Sequence, residues 1–238
     1  MILTAHQPCY LPWLGLFHKI YLSEIFCLFD IAQYQTKDYN NRNKIKTNAG
    51  EIWLTVPVES KDHFEKLICD IKIVQNGWQK KHLKSILLAY KKAPFFEQYY
   101  DGLDKILSSS YVFLTDLNLD ITRYIMECLA ISVPIVKASD YNFTGYKSDL
   151  VLDMCVKLGA SHYIFGSQGK NYADVESFTA KGVAAYFQNY LHPVYRQLHG
   201  KFLPYMSAID LLFNEGPASK EIIISGNIPS ICNQERSD

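Results

Sequence analysis

The amino-acid sequence predicts an α/β protein, with a mostly parallel sheet, flanking helices, an N-terminal βαβ unit, and a single domain that includes a helical portion. Three features near the N-terminus predict this class. Residues 2–5 form an apolar run that suits a buried strand, and apolar side chains recur at helical spacing over residues 11–23. A second apolar run follows at residues 25–29. A strand, a helix and a strand with short connections indicate a right-handed crossover between parallel strands.

The rest of the chain alternates between helical and strand patterns. Helical spacing predicts helices over residues 78–90, 94–107, 117–129, 148–158 and 206–216. Strand patterns cover residues 51–58, 67–74, 134–139, 160–165 and 183–187, and the strand at 67–74 is expected to be half-exposed. Because neither an internal repeat nor a long linker interrupts the chain, we predict one domain over residues 1–216 and a C-terminal tail over residues 217–238.

Composition argues against several classes of protein. The 238 residues carry 24 basic and 24 acidic side chains, a balance that predicts neither a nucleic-acid partner nor a polybasic membrane patch. No stretch approaches the ~20 apolar residues of a membrane span, and the N-terminal apolar run lacks the positive region of a signal peptide. The six scattered cysteines, without a CxxC pair, are typical of a reduced cytoplasmic protein. No local spacing of histidines predicts a metal site, and no motif identifies a cofactor.

The turn after the first predicted strand is the main candidate for a functional site. His6 and Gln7 follow the strand directly, and two prolines stiffen the turn that presents Tyr10 and Trp13. Open α/β sheets bind ligands at the carboxyl edge of their strands, so we predict that these residues contact a small-molecule substrate. His6 is the expected catalytic base, because imidazole titrates near neutral pH. The alternative is a proline-rich turn that packs its own aromatic side chains.

Two charged side chains are expected near this turn. Lys19 lies one helical turn after Gly15 and can project toward the same end of the sheet. Asp30 ends the second predicted strand at the same edge as His6, although aspartate is also a common turn residue there. Cys9 has two interpretations: it is a nucleophile if a base lies nearby, or a small thiol that serves only in packing.

Three further polar segments supply candidate substrate-binding residues, which are Asn41, Arg42 and Asn43, then Gly166, Gly169 and Lys170, then Tyr195 and Gln197. The first combines amides with a guanidinium, which suits a phosphate or carboxylate, or it is a solvated loop. The second is a glycine-rich loop with a lysine after a strand, which favours phosphate binding without matching a Walker A motif, or it is a surface turn. The third is rich in polar aromatic side chains that either bind a sugar or nucleotide or pack on the core.

Several of these stretches, taken in order, resemble one family. They are HQPCYLPWLG at residues 6–15, NRN at 41–43 with TVPV at 55–58, and VYRQ at 194–197 with SAIDLLFNEG at 207–216. The ordered set is similar to the WbqC-like family over residues 2–216. The resemblance implies a role in the synthesis of bacterial cell-surface polysaccharides, including O-antigen. It implies no agreed catalytic residue.

Three functions follow as hypotheses. The first is a transferase that adds an acyl or aminoacyl group to the amine of a nucleotide-linked deoxyamino sugar, with His6 as base and with Arg42 and Lys170 on phosphate. The second is nucleotidyl transfer, because a strand, a histidine-containing turn and a basic helix are similar in topology to adenylyltransferase-like folds, although their HxGH-type signature is missing. The third is a sugar-nucleotide binding protein without catalytic activity.

Overall fold

A five-stranded parallel sheet forms the centre of the structure, a computed structural model that describes residues 1–59 and 65–225. The strands in this part of the chain are β1 (Ile2–His6), β2 (Ile25–Leu28), β3 (Arg42–Thr47), β4 (Gly50–Thr55), β5 (Ile135–Lys137), β6 (His162–Phe165) and β7 (Ala184–Phe187). The sheet has the order β5-β2-β1-β6-β7, and each neighbouring pair is parallel. Strands β3 and β4 form a separate antiparallel hairpin. The predicted fold class is confirmed.

The N-terminal βαβ unit has the predicted order but a shorter helix. Helix α1 (Leu14–Tyr21) connects β1 to β2, and Leu3 pairs with Ile25 in parallel register. The helix cannot begin at residue 11, because Leu11 has a φ of 44°. Trp13 is extended and precedes the first helical residue. The stiff turn between β1 and α1 is therefore a distinct structural element rather than the first turn of the helix.

Helices cover both faces of the sheet. They are α2 (Trp78–Tyr90), α3 (Phe96–Ser108), α4 (Leu114–Cys128), α5 (Ser148–Leu158), α6 (Val175–Ala180), α7 (Ala208–Glu215) and α8 (Ser219–Ile224). Phe26 and Leu28 of β2 join the larger core, to which α1 to α4, α7 and α8 also contribute. Cys27 points to the opposite face and joins a second core with Met154 of α5. This division follows from the alternation of side chains along a strand. Within the described ranges, no helix is both long and apolar enough to cross a bilayer.

The strand predicted over residues 67–74 is wrong. This segment contains a 3₁₀ turn, Ile68–Asp70, and makes only isolated β-bridges with other segments. Ile68, Ile71 and Ile73 are buried, whereas Leu67 is 38% exposed. The three-residue spacing of Ile68 and Ile71 suits a turn, and the apparent alternation of apolar residues hid it.

The chain after residue 216 continues as ordered structure. A 3₁₀ turn, Gly216–Ala218, leads into α8, where Ile223 is fully buried in the larger core. The apolar run at residues 222–224 is therefore a packed helix that contacts α1. Residues 226–238 of the predicted tail lie outside the described residues, so the predicted boundary at 216 stays a prediction.

The contact between α3 and α4 depends on Gly102. A Cβ atom at this position would lie 2.4 Å from Cε2 of Tyr124, whose hydroxyl donates to the carbonyl oxygen of Tyr99 at 2.5 Å. We expect Gly102→Ala to lower the free energy of unfolding by about 1–3 kcal/mol in urea titrations, because overpacking outweighs the gain in helix propensity. A Gly102→Ala/Tyr124→Ala double variant should be less destabilised than the two single changes added together. Strict additivity would contradict this explanation.

Candidate active site

A cleft of about 710 Å³ opens at the carboxyl ends of β1, β6 and β7. Its lining includes His6 at the end of β1, Gly166 after β6 and Gln188 after β7. The chain places β2 and β5 on one side of β1 and later places β6 and β7 on the other side. The direction of strand succession thus reverses at β1. Open α/β sheets bind ligands at this point, where the connecting loops diverge.

His6 is held in one tautomer at this cleft. Its Nδ1 atom lies 2.9 Å from the carbonyl oxygen of Gln7. Because a carbonyl oxygen can only accept, Nδ1 carries the proton and Nε2 keeps a lone pair. Burial and, to a smaller extent, the positive charge of Lys19 together lower the pKa of His6 to about 3. The ring of Trp13 packs edge-on against His6 at 5.3 Å. His6 is therefore a neutral imidazole with an available acceptor nitrogen.

Lys19 reaches the cleft from α1. It is 3% exposed, and its Nζ atom donates to the carbonyl oxygen of Ala5 at 2.8 Å. Burial lowers the pKa of its ammonium group to about 8. Gly15, one turn earlier, allows close packing, because a Cβ atom there would meet Trp13 and Tyr190 at 3.1 Å. The predicted position of Lys19 is thus observed, although its role as a ligand stays a prediction.

The floor of the cleft contains a buried asparagine that our prediction did not include. Both hydrogens of Asn40 Nδ2 are used, by the Pro8 carbonyl at 2.9 Å and by Gln7 Oε1 at 3.3 Å. Asn118 Nδ2 supports this loop by donating to the carbonyl oxygen of Asn40 at 2.8 Å. The Oδ1 atom of Asn40 is buried and has no hydrogen-bond partner among the described residues. Asn40 lines the same cleft as His6 and Lys19.

Aromatic and amide side chains form the walls. The rings of Trp13 and Tyr39 pack with centroids 5.4 Å apart, and Tyr190 and Tyr205 also line the cleft. The hydroxyl of Tyr190 is buried and lacks a partner within the described ranges. Gln188 donates to the Gly15 carbonyl at 2.8 Å and to Nδ1 of His18 at 2.9 Å. The high tyrosine content of the sequence indicated that tyrosines contact a ligand, but the sequence pattern could not show which tyrosines line a cleft.

Cys9 serves in packing. Its thiol donates to the carbonyl oxygen of Gln7 at 3.3 Å, and it is 2% exposed. Burial raises the pKa of the Cys9 thiol well above its ordinary value. Nδ1 of His6 lies 3.7 Å from the sulfur, but it carries a proton that is donated to the Gln7 carbonyl, so it cannot accept a proton from the thiol. A thiol in this environment is a poor nucleophile.

Four of the predicted substrate-binding residues are placed in the interior, where protein groups occupy their polar atoms. The hydroxyl of Tyr10 hydrogen-bonds Nδ1 of His82 at 2.8 Å. The Asp30 carboxylate accepts from the backbone and the hydroxyl of Ser139 at 2.9 and 2.7 Å. Asn41 and Asn43 donate to the carbonyl oxygens of Val56 and Leu11 at 2.8 and 2.7 Å. None of these four is among the residues described as lining the cleft.

The remaining predicted residues divide between the cleft and other surroundings. Gly166 and Gly169 both line the cleft. Gly166 precedes a 3₁₀ turn, Ser167–Asn171, and Gly169 lies within it, where a loop was predicted. Lys170 is exposed and lies outside the lining. Arg42 stacks on Trp53 at 4.2 Å and donates to the carbonyl oxygen of Lys37. Tyr195 and Gln197 donate to Asp210 at 2.8 and 2.7 Å in the interior.

Gly169 has a packing function. A Cβ atom at this position would lie 2.5 Å from Cβ of Phe165, so a side chain would displace the 3₁₀ turn from the end of β6.

Among residues 1–59 and 65–225, no group of three or more His, Cys, Asp or Glu side chains is arranged to hold a metal ion.

Comparison with known proteins adds the family. A model of the WbqC-like protein family matches residues 7–222. The chain is also similar to a protein of Mycobacterium tuberculosis (strain ATCC 25618 / H37Rv) described as uncharacterized protein Rv1507c, with 32% identity over 219 residues, which cover 91% of this chain and 95% of the relative. No solved structure matches the chain. The family match spans the cleft-lining segments from Gln7 to Tyr205.

Proposed function

Because the chain belongs to the WbqC-like protein family, we propose that it is a transferase in the synthesis of bacterial cell-surface polysaccharide such as O-antigen. It moves an acyl or aminoacyl group to the amine of a nucleotide-linked deoxyamino sugar. One observation carries the proposal: the neutral His6, with Nε2 available, lies in a cleft that also contains unpartnered buried polar atoms of Asn40 and Tyr190. A base and unpartnered polar groups together are typical of a site that binds and transforms a polar substrate.

The reaction follows from these groups. The sugar amine attacks the carbonyl carbon of the acyl donor, so a carbon–nitrogen bond forms and the carbonyl oxygen becomes an oxyanion. Nε2 of His6 takes the proton that the nitrogen loses. The bond between the carbonyl carbon and the leaving group then breaks, and His6 returns the proton to that group. Asn40 Oδ1 is available to accept from an amine or hydroxyl of the sugar.

The cleft walls suit a nucleotide-linked sugar. Tyrosine and tryptophan rings stack on sugars and bases while their polar atoms hydrogen-bond. Trp13, Tyr39, Tyr190 and Tyr205 supply such rings in the lining of the cleft. A volume of about 710 Å³ is within the range of small-molecule sites.

Nucleotidyl transfer is a second candidate, favoured by one observation. His6 ends the central strand at the point where strand succession reverses, which is the position at which doubly wound α/β folds bind nucleotides. Binding of a sugar nucleotide without turnover is the third possibility, and the following experiment separates all three.

Purified full-length protein should be incubated with a panel of nucleotide-linked amino sugars and with acyl or aminoacyl donors. We expect mass spectrometry to detect an N-acylated sugar nucleotide. Stabilisation by nucleoside triphosphates in a thermal-shift screen, with release of pyrophosphate, would favour nucleotidyl transfer instead. Tight sugar-nucleotide binding without product across all donors would favour the binding protein. Absence of both binding and product contradicts the proposal.

A further inference from the structure

The surroundings of Lys19 in the cleft favour the binding of an anionic ligand. We propose that Lys19 forms an oxyanion subsite, which binds a phosphoryl or carboxylate group of the substrate. The inference deepens the proposed function and rests on it for the identity of the substrate, whereas the subsite itself is testable by binding alone. It moves the anion-binding role from Arg42 and Lys170 to a residue of α1.

The first argument is the unused hydrogen-bonding capacity of Lys19. An ammonium group has three N–H donors. One of them donates to the Ala5 carbonyl at 2.8 Å, and the side chain makes no other hydrogen bond to the described residues. Because Lys19 is only 3% exposed, bulk water does not readily satisfy the other two donors. Leaving polar hydrogens unsatisfied in a desolvated site costs free energy, and a ligand oxygen in the cleft recovers it.

The second argument is the absence of a compensating charge. The titratable side chains that line the cleft around Lys19 include His6, Cys9, Asp38, Tyr163 and Tyr172. Burial favours the neutral forms of the imidazole, the thiol and the two phenols. The carboxylate of Asp38 belongs to an exposed residue and accepts from the backbone of Tyr39 at 2.7 Å. Lys19 forms no ion pair with any residue in the described part of the chain.

The third argument concerns the class of ligand. A desolvated ammonium with two available donors is best satisfied by an oxygen that carries negative charge, because charge-assisted hydrogen bonds are about twice as strong as neutral ones. A phosphoryl oxygen and a carboxylate oxygen both fit this description. Arg42 is engaged with Trp53 and the Lys37 carbonyl, and Lys170 is exposed outside the lining. Neither provides a buried positive charge in the cleft.

Isothermal titration calorimetry with inorganic pyrophosphate, a nucleoside diphosphate and acetate tests the subsite at neutral pH. We expect at least one of these probes to bind the wild type, and Lys19→Met to weaken its binding by about tenfold or more. Lys84→Met, on the exposed surface of α2, is the matched control and should bind like the wild type. Preference for the phosphorylated probes identifies a phosphoryl subsite, and preference for acetate identifies a carboxylate subsite.

Two results would overturn the inference. One is that no probe binds the wild type. The other is that the folded Lys19→Met variant binds the probes as tightly as the wild type. Because the assay needs no turnover, an inactive but anion-binding protein would contradict the transferase proposal and leave the subsite intact.

A measurement on the wild type covers the case in which Lys19→Met does not fold. Amine-selective acetylation followed by mass spectrometry gives the labelling rate of each lysine. We expect saturating pyrophosphate or acetate to slow labelling of Lys19 by about tenfold, while labelling of Lys84 is unchanged. Equal labelling of Lys19 with and without the bound probe contradicts the inference.

Discussion

Replacing Asp210 with alanine is expected to lower the free energy of unfolding by about 3–5 kcal/mol, because it removes one charge from a buried polar cluster. Asp210 is fully buried and accepts from Tyr195 at 2.8 Å and from Gln197 at 2.7 Å. Lys46 is 1% exposed, donates to the Lys201 carbonyl at 2.8 Å, and interacts favourably with the Asp210 charge. The variant leaves the donors of Tyr195 and Gln197 without their acceptor, and it removes a favourable negative charge from the surroundings of the buried Lys46 ammonium.

Two variants control this measurement in chemical denaturation. Asp210→Asn keeps an oxygen that can accept from Tyr195 and Gln197, so we expect it to lose less than half as much stability as Asp210→Ala. Asp101→Ala, on the exposed surface of α3, should change stability by less than about 0.5 kcal/mol. If Asp210→Ala unfolds at the wild-type denaturant midpoint, the cluster does not stabilise the fold in this way.

The contribution of Asp210 to the free energy of unfolding depends on pH. Burial raises the pKa of this carboxyl in the folded state. The folded protein therefore holds the proton more tightly than the unfolded chain, whose aspartate pKa is about 3.9. The contribution of Asp210 to stability is greatest below that value and falls as pH rises through the raised folded pKa. The Asp210→Asn variant should lack this fall.

The architecture was predictable because buried parallel strands have a simple signature. Strands covered on both faces appear as short continuous apolar runs, as in β1 and β2, and helices of sufficient length show their period. The segment around Ile68 and Ile71 was not predictable in this way. Its apolar residues satisfy both an alternating and a three-residue spacing, and only the packing against the larger core selects the turn.

The cleft was partly predictable for a similar reason. His6 ends β1, and Gln7 and Gly166 directly follow β1 and β6, so the topology of the sheet fixes the position of these residues at its carboxyl edge. Lys19 follows from helical spacing. These residues depend on local sequence and on a general rule of α/β folds.

Polar residues in irregular segments were harder to interpret. Asn41 and Asn43 donate to backbone carbonyls, whereas the neighbouring Asn40 has a free buried oxygen in the cleft. The sequence predicts the same role for all three asparagines of this short segment, and only the path of the folded chain shows which of them lines the cleft. Tyr195 also illustrates this, because its partner Asp210 is fifteen residues away on α7.

A change of His6 to asparagine should reduce the rate of acyl transfer by about 10²–10⁴-fold, the usual contribution of a general base. Asparagine can still donate from Nδ2 to the Gln7 carbonyl, as Nδ1 of His6 does at 2.9 Å, so the turn should keep its structure. An unchanged thermal midpoint is the control for folding. A wild-type rate in the folded variant would show that His6 only holds the ligand or the turn.

The pH profile distinguishes this base from an ordinary histidine. Burial lowers the pKa of His6 to about 3, so activity should not decrease between about pH 7 and about pH 5, whereas a histidine with the usual pKa of about 6.5 would lose more than tenfold. On the alkaline side, activity should fall as Lys19, with a pKa of about 8, loses its charge. An anion bound at Lys19 opposes the positive charge that lowers the pKa of His6, so substrate binding strengthens the base. Activity that falls as pH decreases below about 6.5 would contradict the lowered pKa of His6.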